Sequence, residues 1–151
     1  MQKAHAYGRE DKIYLYGSSR TTTGLWLLSE PVLSVPRQDV VKLSQAIRDT
    51  LENSKQNIPH PKTWDKDLFK PVLQLAGVKT WNAFARSAKN VRIEHDRGEV
   101  RFVPMRSDGV DEGFVQIDGK ERVVPADSPE LGKALLESLS DAEFPLSRPK
   151  K

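Results

Sequence analysis

Tyr14-Leu15-Tyr16-Gly17-Ser18-Ser19-Arg20 and Val100-Arg101-Phe102-Val103-Pro104-Met105-Arg106 open two passages that run in parallel. After the first come Gly24-Leu25-Trp26-Leu27-Leu28, then Val32-Leu33-Ser34-Val35-Pro36, then a helical run ending at Leu51. After the second come Gly113-Phe114-Val115-Gln116-Ile117, then Arg122-Val123-Val124-Pro125, then a helical run ending at Leu139. Gly24 stands 12 residues before Pro36, and Gly113 stands 12 before Pro125. Ala46 precedes Leu51 by five, as Ala134 precedes Leu139. Arg20 to Gly24 is four residues against seven for Arg106 to Gly113, so the second passage carries a three-residue insertion. Two copies of a βββα-type unit are too few to stack as a solenoid. The expectation is one pseudo-symmetric domain over residues 1–151.

Working outward, the first unit covers residues 1–53, a helical insert 54–89, the second unit 90–143 and a basic tail 144–151. In the first unit, residues 3–7 and 12–16 read as a hairpin around Gly8-Arg9-Glu10-Asp11. Gly17-Ser18-Ser19 reads as its break. Residues 24–28 and 32–35 read as two further strands separated by a Ser29-Glu30-Pro31 turn. Asp39 is placed to cap a helix to about residue 53. Val40, Leu43, Ile47 and Leu51 form its apolar stripe, widened by Val41 and Ala46.

In the insert, Thr63 is placed to cap a helix over 64–75 with Trp64, Leu68, Val72 and Leu75 aligned. Pro71 either kinks that helix or starts a second one. Thr80 is placed to cap a helix over 81–88, with Trp81, Phe84 and Ala85 inward. The insert is expected on one face of the sheet or at its edge.

In the second unit, residues 91–95 and 99–105 flank an Asp96-Arg97-Gly98 turn. Residues 114–117 and 120–124 flank Asp118-Gly119 as a further hairpin. Asp127 or Ser128 is expected to cap the last helix, with Pro129 in its first turn and Glu130 completing a capping box. Leu131, Leu135, Leu136 and Leu139 give that helix its apolar face. The fold class is α+β: antiparallel sheet with helices packed on it.

The composition narrows the chemistry. There are no cysteines, which excludes disulfides, thiolate nucleophiles and cysteine zinc sites and fits a reducing compartment. The first residues do not read as a secretory signal, and no apolar run approaches a membrane span. A soluble cytoplasmic protein is expected. The net charge of +3 hides an asymmetry. Residues 1–106 hold 18 Lys/Arg against 11 Asp/Glu, giving +7; residues 107–143 hold 3 against 10, giving −7. Two such segments attract each other within one domain, or the acidic one greets a basic partner.

No catalytic constellation emerges. His5, His60 and His95 lack metal-ligand spacing. His60 sits between two prolines and reads as a loop residue, and His95 reads as a polar hairpin residue. Gly17-Ser18-Ser19-Arg20 has the flavour of an anion nest, and Arg106 recurs at the place matching Arg20. A turn with a solvated arginine accounts for both. Asp108, Asp111 and Glu112 cluster in the loop that the second unit adds, flanked by Gly109 and Gly113. They lack the further oxygen ligands of a calcium loop. A solvated turn, or an acidic contact loop for a basic protein, remains. For nucleic acid, Arg92, Arg97, Arg101 and Arg106 on one expected hairpin are the best candidate patch, diluted by Glu99 beside Arg101.

Several ordered motifs resemble one family. Tyr14-Leu15-Tyr16, Ser19-Arg20-Thr21-Thr22, Gly24-Leu25-Trp26 and Ser29-Glu30-Pro31 are similar to the opening of bacterial contact-dependent growth inhibition (CDI) immunity proteins. Pro59-His60-Pro61, Ala76-Gly77-Val78-Lys79-Thr80-Trp81, Glu112-Gly113-Phe114 and the helix from Leu131 to Leu139 extend the resemblance over residues 12–139. It implies an antitoxin without catalysis or cofactor. Such a protein binds the C-terminal toxin domain of a large exported surface protein, often a nuclease acting on tRNA. The toxin-binding residues expected are Asp108, Asp111, Glu112, Asp118 and Glu121, whose charge suits a positive substrate channel. The overall pI of about 9.2 confines any inhibition by charge to that local surface. The alternative is a small nucleic-acid-binding module using the arginine hairpin.

Overall fold

The fold was examined in a computed structural model that describes residues 1–60, 69–107 and 114–143. Strands β1 (Gln2–Arg9) and β2 (Lys12–Arg20) form the first hairpin, with Tyr7 opposite Tyr14. The expected break at Gly17-Ser18-Ser19 does not occur; β2 runs through it. Those small residues serve a close approach instead. A Cβ at Gly17 would collide with the Thr50 carbonyl oxygen at the end of helix α1 (Val40–Glu52). The Lys55 backbone N–H donates to Ser19 Oγ at 3.0 Å.

Strand β3 (Trp26–Pro36) corrects a second expectation. Where two strands and a turn were read, one strand pairs with β2 throughout, from Arg20 opposite Trp26 to Lys12 opposite Pro36. Its register shifts opposite residues 15–17. Glu30 and Pro31 lie exposed at the shift and the strand resumes beyond them.

Strands β4 (Lys89–Asp96) and β5 (Glu99–Ser107) form the second hairpin around Arg97 and Gly98, both at positive φ. Strands β6 (Phe114–Gln116) and β7 (Arg122–Pro125) were expected to pair with each other. Both pair with β5 instead: Ser107 with Phe114 at one end, Glu99 with Pro125 at the other. Asp118-Gly119 is thus an outward buckle in one edge line and not a hairpin tip. Pro104 on β5 has no N–H to offer, so the ladder is interrupted there, although its carbonyl still accepts Ile117 N–H at 3.0 Å.

The sheet order is β3-β2-β1-β4-β5, with β6 and β7 on the outer edge of β5. β1 and β4 meet antiparallel at the centre, Ala4 opposite Ile93 and Ala6 opposite Val91. Alternation along the strands sends side chains to two faces. Ala4, Ala6, Ile13, Leu15, Val91, Ile93, Val100 and Phe102 face α1 and helix α4 (Leu131–Asp141), which pack side by side. Tyr7, Tyr14 and Tyr16 face the opposite way, against helices α2 (Lys70–Ala76) and α3 (Trp81–Arg86). The described helices of the insert therefore pack on one sheet face, one of the two placements expected.

The helices follow local chemistry. Asp39 caps α1, its carboxylate accepting Lys42 N–H at 3.1 Å. Leu43, Ala46, Ile47 and Leu51 are buried, but Val40 is exposed and lies off the buried stripe, and Val41, 84% exposed, does not widen it. Pro71 lies in the first turn of α2, so it starts a helix. Trp64 and Leu68 lie outside the described residues; Val72 is buried and Leu75 is 45% exposed. Thr80 caps α3 through Ala83 N–H at 3.1 Å. The expected capping box of α4 is absent. Glu130 occupies the N-cap without a side-chain bond, and Ser44 Oγ of α1 accepts Gly132 N–H at 2.8 Å. After each of these two helices the chain returns to the sheet as a parallel bridge, Ile58 to Thr21 and Glu143 to Arg106. No helix among the described residues is long and apolar enough to cross a membrane.

Candidate partner-binding site

Of the expected toxin-binding residues, Asp108, Asp111 and Glu112 lie outside the described residues. Asp118 is exposed on the buckle between β6 and β7, and Glu121 is half-buried at its far end. Glu121 accepts from Gln116 Nε2 at 2.7 Å. Its own backbone N–H, then Gln116, hold its carboxyl below the usual range, so it carries full charge. Gln116 in turn accepts from Arg92 Nη2 at 2.9 Å. A polar chain thus joins the acidic buckle to the sheet interior.

The four arginines proposed for nucleic acid do not form one stripe. Arg92 is engaged by Glu94 at 3.3 Å and by Gln116. Arg101 stands opposite Glu94, and Arg97 is in the turn. Arg106, by strand alternation, belongs to the other face from Arg92 and Arg101. Glu94, Asp96 and Glu99 interleave with Arg97 and Arg101 around a shallow hollow of about 460 Å³. The anion nest read at residues 17–20 is not formed: Arg20 N–H donates to Lys55 O at 2.8 Å within the strand line.

His60 Nδ1 bonds Thr23 Oγ1 at 2.8 Å, and His95 Nδ1 bonds Gln2 Oε1 at 2.9 Å. Among the described residues no group of three or more His, Asp or Glu is arranged to hold a metal ion.

Sequence reasoning missed a second feature. On the α2–α3 side of the sheet a cavity of about 480 Å³ opens, with Lys3, His5, Tyr16, Trp26, Trp81 and Arg92 in its lining. The signal was present: Lys3, His5 and Tyr7 alternate with Ala4 and Ala6, which assigns the first three to the face opposite the α1–α4 core. Tyr7 is the hub of the aromatic layer, edge-on to Trp81, Phe84 and Phe114 with centroids 5.6, 5.4 and 5.8 Å away. Phe69 stacks on Trp81 at 4.2 Å. Tyr7 and Tyr16 share a hydroxyl hydrogen bond at 3.2 Å, and burial raises both phenols, Tyr7 to about 12. Burial, with Lys3 and Arg92 adding repulsion, lowers His5 to about 3, so its imidazole is neutral at physiological pH. Lys3 is lowered as well, first by burial and then by Arg92.

The two surfaces present hydrogen-bonding and aromatic groups among the described residues, an arrangement suited to binding. Residues 15–142 match the CdiI family, described as CDI immunity protein. The chain belongs to that family, as the motifs around Tyr14 and Trp81 implied, and is an immunity protein for a CDI toxin. No curated protein matches the chain. Among solved structures, a protein of unknown function from Neisseria meningitidis is similar at a TM-score of 0.78 and 20% identity, covering 93% of this chain and 94% of its own. A chain of the CdiA-CT/CdiI toxin and immunity complex from Yersinia pseudotuberculosis is similar at 0.72 and 19% identity, covering 93% and 97%. At these identities the likeness is one of fold.

Proposed function

We propose that this protein acts in the cytoplasm, without catalysis of its own, by binding the C-terminal toxin domain of a large exported surface protein as a heterodimer. The toxin is a nuclease, with tRNA its first substrate to test. Family membership over residues 15–142 carries this reading. The contact surface is the acidic edge: Asp118 and Glu121 on the buckle, together with Asp108, Asp111 and Glu112. A nuclease channel is positive, and charge of opposite sign speeds and orients docking. We also read the two halves, with their matching strand order and parallel bridges, as products of an internal duplication.

The test is titration of this chain with the purified toxin domain encoded beside it. A stoichiometric complex that blocks nucleic-acid cleavage is expected. Reversing Asp118 and Glu121 to Lys slows association and steepens with falling salt. Unchanged association moves the contact to the α2–α3 side around Trp81, while absence of any complex overturns the pairing itself.

A further inference from the structure

The cavity on the α2–α3 side holds polar groups left short of partners. Among the described residues, His5 Nδ1 has no hydrogen-bond partner. Lys3 Nζ makes no ion pair there; it lies over the Trp26 ring, 4.2 Å from the centroid. Arg92 takes the one nearby carboxylate, Glu94. Glu94 also attracts Lys3, but Lys3, Arg92 and the nearby Arg20 outnumber that one carboxylate, so this end of the cavity keeps a net positive charge. Lys3 is half-buried and the His5 Nδ1 atom is buried, so both polar groups stand partly withdrawn from solvent at the cavity wall. The apolar part of the wall is led by the aromatic Trp26, Phe69, Trp81 and Phe114, with Leu27, Leu28 and Met105 beside them. The volume of about 480 Å³ falls in the range of small-ligand pockets, roughly 300–1,000 Å³.

We propose that this cavity is a binding site for a planar aromatic anion: the ring lies against the aromatic walls, the anionic group meets Lys3 and Arg92, and His5 Nδ1 bonds a polar atom on the ring edge. Neutral His5 offers a hydrogen bond without adding charge, so the anion is selected by Lys3 and Arg92. An anion alone would leave the aromatic walls exposed, and a neutral ring would leave Lys3 unpaired. Both parts are needed in one molecule. This site goes beyond the toxin reading and does not depend on it.

The experiment uses the full chain alone, titrated with adenosine 5′-monophosphate and with indole-3-acetate. The indole N–H resonances of Trp26 and Trp81 report the result. Saturable shifts in the millimolar range or below are expected for at least one probe. Adenosine and inorganic phosphate should each bind about tenfold more weakly or worse. Lys3→Gln and Trp26→Leu, at half-buried positions, should each weaken the probe about tenfold while thermal unfolding stays cooperative. No saturable shift up to about 10 mM of either probe overturns the proposal. So does phosphate shifting the same resonances as strongly (an adventitious ion only), or affinity unchanged in both variants.

Discussion

Ser44 Oγ on α1 accepts the backbone N–H of Gly132 in the first turn of α4 at 2.8 Å, so one helix caps the other. The same hydroxyl donates to Pro129 O at 3.4 Å. Gly132 allows the approach: a Cβ there would lie 2.5 Å from Val40 O.

Ser44→Ala should therefore cost about 1 kcal/mol, the usual value of a lost cap. Gly132→Ala should cost more, because backbone must shift. Thermal denaturation should show a fall of roughly 2–4 °C for the first and a larger fall for the second. Equal stability in Ser44→Ala would remove the cap from the account of α4.

Gly17 plays the matching part in the first half. Gly17→Ala puts a Cβ against Thr50 O and within 3.3 Å of Ser54 N. A destabilisation of about 1–3 kcal/mol is expected in urea unfolding.

His5 sets a pH dependence. Its folded-state value of about 3 lies below its unfolded value near 6.5. Between those values the unfolded chain binds the extra proton. Stability is thus fully present above pH 6.5 and is lost as pH falls toward 3, by about 1.4 kcal/mol per unit at most. His5→Gln should unfold with a shallower slope between about pH 6 and 4, a window set by the same shift. Parallel slopes would assign the acid sensitivity to carboxylates.

Arg122 ties β7 to α4 through Glu137 at 3.1 Å and Asp141 at 3.0 Å. Its side chain is 37% exposed, so solvent screens the pair. Arg122→Gln should cost less than about 1 kcal/mol, with the difference shrinking in about 1 M salt.

The fold class and the helices with strong caps, at Asp39 and Thr80, were legible because those signals are local. The edge strands misled twice, for one reason. Ser29-Glu30-Pro31 and Asp118-Gly119 have turn composition, but each chain returns to the same neighbour after an excursion. Turn residues report the excursion, and only the pairing partner reports where the chain goes next. The cap of α4 was misread likewise, since Ser44 lies 88 positions from Gly132. Gly17-Ser18-Ser19 looked like a break because nothing local shows a helix end resting on it. At the candidate site, charge marked Asp118 and Glu121, whereas the cavity is assembled from β1 to β6, the N-cap of α2 and α3, and has no contiguous signature.

The pairing of β1 with β4 has a consequence for synthesis. Gln2 faces His95 across the midline of the sheet. A ribosome that has released only the first hairpin and α1 leaves the inner edge of β1 bare, a row of unmatched amides and carbonyls. That edge waits through the whole insert for β4 to emerge. During translation the future centre of the protein is its most exposed seam, and the growing chain is open there to strands from other molecules.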